Sequence, residues 1–197
     1  MTSLDALFPG DGPVRLDGAM GSQLQADGWP AGRPTVLANL EAPGLVSSLH
    51  AAHCAAGAQV LVTNSFSALL DADGRGPAAA EAGVRVARKA GGPNVRLAGC
   101  LAAFGLASPS AADVLRALVE GGVELLLFET CTSVQAAVLA LELAERHAPQ
   151  LPVVVCASTT DGSHADRDTA RAVLAAVTSG DHPRAAVHGP AHQAEDG

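Results

Sequence analysis

Five places in the sequence set polar or thiol side chains directly at the end of an apolar run. Asp17 closes "VRLD", and Thr63, Asn64 and Ser65 close "QVLVTNSF". Cys100 closes "VRLAGC", Glu129 and Thr130 close "VELLLFET", and Ser158 and Thr159 close "PVVVCAST". Two carboxylates at such places suit the binding of a cationic group or acid–base exchange. Each also has a plainer reading. Asp17 suits a turn after a strand, and Thr63 and Asn64 suit ordinary loop hydrogen bonding. Glu129 is harder to reduce, because carboxylates are seldom buried unpaired. Thiolates of Cys100, Cys131 and Cys156 near strand tops would bind zinc if they converged. Their spacing has no metal-motif form, which favours small buried hydrophobes.

The histidines divide in the same way. His50, His53 and Cys54 share one helical face, with packing or capping as the expected role. His188 and His192 stand four residues apart, but Pro190 lies between them and argues against a regular helix. Two ligands do not complete a tetrahedral site. Lys89 is the only lysine and falls at the end of a helical segment, so a Schiff base on a strand has no candidate.

The elements that must position these residues follow from periodicity. The apolar runs lack polar alternation, as strands covered on both faces do. A further, weaker run is "RAAVHG". Between the runs lie Ala-rich stretches with helical spacing: Pro43 to Ala56, Pro77 to Ala90, Ala111 to Glu120, Ser133 to His147 and Arg167 to Thr178. Gly121-Gly122 stops one helix, Thr132 or Ser133 caps the next, and Arg146 and His147 suit its negative end. Strand–helix–strand order predicts parallel β/α units. Gly18, Gly21 and Gly28 do not give the GxGxxG of a dinucleotide-binding sheet, and no helix is expected immediately after them. Polar residues gathered at strand C-termini favour an α/β parallel (β/α)8 barrel. About six units are legible where closure takes eight, so the barrel is expected to be incomplete.

The chain has 197 residues, enough for one substantial core, and is expected to form a single domain over 1–197. A net charge of −8 with no basic patch makes nucleic acid a poor partner. No run has the length of a membrane span, and "MTSLDALFPGDGP" lacks the basic and apolar regions of a secretory signal. Four widely spaced cysteines without a CxxC pair suit reduced thiols in the cytoplasm.

Four segments, in order, resemble the homocysteine S-methyltransferase family: "LDGAMGSQLQADG", "EAPGLVSSLHAAHCAAGAQVLVTNSFSA", "LAGCLAAFG" and "GGVELLLFETCTSVQAA". The resemblance covers about Val14 to Thr160. It implies methyl transfer to the homocysteine thiol, giving methionine. Homocysteine and a methyl donor would be the small-molecule partners. It implies that Asp17 and Glu129 face the homocysteine ammonium, with Thr63, Asn64 and Ser65 helping to hold the ligand. Gly18 and Gly21 would permit close backbone approach and unusual φ values. The family also uses zinc, held by three cysteines: one in a Gly-Val-Asn-Cys-like motif after the sixth strand, and an adjacent pair after a Gly-Gly. This sequence reads "PRAAVHGPAHQAEDG" in that region and has neither motif. The expectation is therefore a pocket without the family's metal ligands, impaired in catalysis. The alternative is a non-catalytic remnant that binds a thiol amino acid at most. An open barrel edge predicts self-association.

Overall fold

The computed structural model describes residues 4–10, 12–158, 168, 170–173, 175 and 185–188. The helices are α1 (Leu4–Leu7), α2 (Gly21–Ala26), α3 (Ala38–Glu41), α4 (Pro43–Ala55), α5 (Gly76–Gly91), α6 (Ala111–Gly121) and α7 (Val134–His147). The strands are β1 (Val60–Val62), β2 (Arg96–Ala102), β3 (Leu125–Cys131), β4 (Val153–Ala157) and β5 (Ala185–His188).

All five strands are parallel, and their spatial order is their chain order. A doubly wound sheet reverses order at a switch point; this sheet does not. Helices α4 to α7 pack successively against one another in a single layer. Sequential parallel strands with helices on one face form a barrel-type α/β arrangement. The run Val14–Asp17, expected as a strand, makes one parallel bridge from Leu16 to Val60. With that bridge the described sheet has six parallel positions where a closed barrel has eight.

Local chemistry explains the boundaries. Pro77 sits in the first turn of α5, where its missing N–H costs nothing, and Arg88 and Lys89 lie in the last turn. Gly122 ends α6 with φ 92°, a left-handed conformation that a side chain would strain. Ser133 caps α7 by accepting a hydrogen bond from the Ala136 N–H at 3.2 Å. A short helix, α2, begins at Gly21, earlier than the sequence suggests. Of the expected helix from Arg167 to Thr178, residues 168, 170–173 and 175 are helical, and the others lie outside the described residues.

The strands bury both faces in two separate clusters. Leu61, Leu97, Leu101, Leu126, Phe128 and Val155 pack outward beneath the helices. Burying each of these large side chains contributes about 1.5–3 kcal/mol. Val60, Ala98, Leu125 and Leu127 face inward, joined by Leu7 of α1 and partly buried Val62, Val154 and Cys156. The period of two therefore places Cys100, next after Ala98, and Glu129, next after Leu127, on the inner wall towards the strand C-termini.

Candidate substrate site

Asp17 enters the site from the sheet edge. Its N–H donates to the Val60 carbonyl at 3.0 Å, and its Oδ2 accepts from the Val62 N–H at 3.0 Å. The second bond is why the carboxylate stands at a strand end: it satisfies a backbone donor at the end of β1. Its side chain is 2% exposed.

Glu129 lies on β3, three sheet positions from Asp17, and the thiol of Cys100 on β2 stands close enough to its carboxylate to lower its pKa. Burial pushes the Glu129 carboxyl up and the charge of Asp17 adds to this, while the Cys100 thiol opposes both. Neither carboxylate has an Arg or Lys partner among the described residues. Glu129 thus stands on the inner wall within electrostatic reach of Asp17.

Thr130, directly after Glu129, has φ 60°, a left-handed conformation rare for a β-branched residue. Its hydroxyl donates to the Glu129 carbonyl at 2.6 Å. The register between β3 and β4 shifts between Phe128 and Cys131. This irregularity carries Cys131 to the outer, helix-covered cluster. The three cysteines thus divide between the faces: Cys100 and Cys156 inward, Cys131 outward. Burial pushes all three thiols up, Cys131 to about 12 and Cys156 to about 11. No group of three or more His, Cys, Asp or Glu among the described residues suits a metal ion. His188 is the register partner of Cys156 on β5, and His192 and Thr159 lie outside the described residues.

Thr63, Asn64 and Ser65 form a hydrogen-bonded corner. Ser65 Oγ donates to the Cys100 carbonyl at 2.6 Å and accepts from Thr63 Oγ1 at 2.8 Å. Asn64 Nδ2 donates to the Thr35 carbonyl and to Asn39 Oδ1. In the sequence Asn39 shows only as a lone amide inside "TVLANLE".

Gly18 requires no positive φ, contrary to expectation. It is needed for close approach instead: a Cβ there would lie 2.9 Å from His53 Cε1. The Gly18 N–H donates to His53 Nδ1 at 3.3 Å. Gly21 likewise has no positive φ and starts α2. His50, expected to pack or cap, is buried and also faces Asp17, with Nδ1 3.7 Å from Oδ2.

The comparisons agree with this architecture. Among solved structures, the apo form of the homocysteine methyltransferase MmuM from Escherichia coli superposes with a TM-score of 0.74 at 24% identity, over 94% of this chain and 74% of that chain. The metallated form of the same enzyme gives 0.72 at 24% identity, over 93% and 77%. At such identities the likeness establishes the fold. No curated protein matches the sequence. The family profile described as homocysteine S-methyltransferase matches residues 14–188, and the chain belongs to that family.

Proposed function

We propose that this chain is a single homocysteine-binding domain over residues 1–197 whose inner wall receives the substrate ammonium between Asp17 and Glu129. The observation that carries the reading is a pair of carboxylates at strand ends, buried Asp17 beside β1 and half-buried Glu129 on β3, neither with an Arg or Lys partner among the described residues. A cation between them supplies the counter-charge that both lack and favours the ionised form of Glu129. Homocysteine supplies an ammonium and a thiol on one short chain. Thr63, Asn64 and Ser65 support the reading as the brace of the β1 corner, with Gly18 leaving room for the loop.

The reaction proposed is methyl transfer to the homocysteine thiol, giving methionine, as the family assignment suggests. Zinc, where this family's chemistry uses it, makes the thiol a thiolate at neutral pH. The described Cys100, Cys131 and Cys156 do not fit that task together, since Cys131 packs in the helix-covered cluster and Cys156 in the inner one. Turnover by these residues alone is therefore proposed to be slow. The four cysteines, all free, suit a reducing, cytoplasmic setting. No helix among the described residues is long and apolar enough to cross a membrane. Leu16, 51% exposed at the sheet edge, supports self-association there.

Calorimetric titration with homocysteine tests the reading. Asp17→Asn and Glu129→Gln are each expected to weaken binding by roughly 1.5–3 kcal/mol, the worth of a charge-assisted hydrogen bond. Unchanged affinity in both variants would remove the assignment.

A further inference from the structure

His50 lies on α4, behind the Asp17 corner, and its side chain is 0% exposed. Neither ring nitrogen has a hydrogen-bond partner among the described residues. A buried polar side chain without a partner carries a desolvation cost that a leucine of similar size would avoid. Packing alone therefore does not account for an imidazole at this position. Its nearest charged neighbour is Asp17, whose Oδ2 is 3.7 Å from Nδ1. That separation is too long for a hydrogen bond and within ion-pair range. One turn on, His53 Nδ1 accepts the Gly18 N–H at 3.3 Å. Two histidines of one helix face thus stand against the two consecutive residues at the head of the site, one bonded to Gly18 and one unbonded beside Asp17.

We infer that His50 is a positioning residue for Asp17, which it backs from the helix layer so that the carboxylate meets the substrate's amino group. The inference rests on the proposed role of Asp17. Oδ2 already accepts the Val62 N–H. A movement of well under about 1 Å adds the His50 Nδ1–H as a second donor to the same oxygen. With Oδ2 held from two sides, Oδ1 is left for the ligand's ammonium. The orphaned imidazole is then a poised donor whose bond closes when the ligand draws Asp17 into place. The bond gained on binding then favours a ligand that carries an α-amino group.

The experiment compares homocysteine with 4-mercaptobutanoate, which keeps the thiol and carboxylate and lacks the amino group. His50→Leu is expected to weaken homocysteine binding about three- to tenfold, the worth of one hydrogen bond. Binding of 4-mercaptobutanoate should change by less than about twofold, because it makes no use of Asp17. His50→Asn, which keeps a donor, should recover most of the loss. Asp17→Asn with His50→Leu should bind homocysteine no worse than Asp17→Asn alone, as expected when one residue acts through the other. Equal weakening for both ligands, or additive losses in the double variant, would overturn the inference. If His50→Leu does not fold, the unaltered protein decides. Its His50 ring nitrogens should shift in ¹⁵N spectra on adding homocysteine and stay put with 4-mercaptobutanoate; ring signals that stay put with both would overturn the inference. Failure of the unaltered chain to bind homocysteine would overturn the reading of the site itself. Binding that Asp17→Asn weakens and His50→Leu leaves intact would overturn only the role of His50.

Discussion

Asn39 and Asn64 hold each other reciprocally. Asn64 Nδ2 donates to Asn39 Oδ1 at 3.0 Å, and Asn39 Nδ2 donates back to the Asn64 carbonyl at 2.7 Å. Asn39 reaches on to the Ala79 carbonyl of α5 at 2.9 Å, and Asn64 to the Thr35 carbonyl at 2.7 Å. One pair of amides thus joins the β1 corner, the segment before α3 and the first turn of α5. Asn64→Ala leaves buried acceptors without their donors. It should destabilise the protein by about 1–3 kcal/mol, read as a lower denaturant midpoint with an unchanged slope.

Gly83 supplies a second test of the same network. An alanine in the middle of a helix ordinarily stabilises by up to about 1 kcal/mol over glycine. Here a Cβ would lie 2.6 Å from Asn39 Nδ2. Gly83→Ala should therefore destabilise, against its helix propensity. A melting temperature at or above that of the unaltered protein would show that Asn39 moves aside freely.

The order of elements was legible because each strand is a nearly unbroken apolar run and each long helix carries its own stop. Helices α4, α5, α6 and α7 fall within one or two residues of their expected bounds. The sequence also pointed to barrel topology through the polar residues at strand ends. What it did not show depends on direction rather than type. His50 reads as one more helical residue until α4 is laid behind Asp17. Cys131 reads as a neighbour of Cys100 until the irregularity at Thr130 sends it to the other face. Helix α1 escaped notice because four residues are too short for a periodicity, although Leu7 seals the inner cluster.

Glu129 gives a pH dependence of defined sign. Its folded-state pKa is raised above 4.5, chiefly by burial. The folded chain therefore binds the proton more tightly than the unfolded chain. Its contribution is fully present below 4.5 and is lost as pH rises through the raised folded value. Glu129→Gln should flatten that fall in stability and give a ligand-free protein more stable at neutral pH, while binding homocysteine more weakly. Urea midpoints measured at steps from pH 4 to 8 test it. Parallel curves for the two proteins would show that Glu129 does not carry the slope.

The thiols should be unreactive while the chain is folded. With Cys131 pushed up to about 12 and Cys156 to about 11, both are protonated at pH 8. Alkylation requires the thiolate. Iodoacetamide at pH 8 should modify Cys100, Cys131 and Cys156 at least about tenfold more slowly than in the urea-unfolded chain, where thiols titrate near 8.5. Mass spectrometry of peptides from timed samples reads this directly. Rapid labelling of Cys156 in the folded protein would show a thiolate on the inner wall that the geometry does not explain.

Catalysis tests the proposed function most severely. A methyl acceptor must be a thiolate, and a free thiol near pKa 8.5 is only a few per cent ionised at pH 7. The inner wall makes that worse: an approaching thiol meets the surroundings that push the Cys100 thiol up, burial first and the Glu129 carboxylate next. The carboxylates that favour the ammonium thus oppose ionisation of the sulfur at the other end of the same substrate. The 197-residue chain should accordingly bind homocysteine and produce methionine from S-methylmethionine slowly, with the rate rising towards alkaline pH as the substrate thiol ionises. Added zinc should change little if the sequence lacks the family's three cysteine ligands, as its segment "PRAAVHGPAHQAEDG" suggests. Methionine formation is followed by chromatography, with zinc and with a chelator in parallel. Fast turnover abolished by the chelator would refute the expectation and point to Cys100, Cys131 and Cys156, with His188 and His192, as the ligands to mutate next.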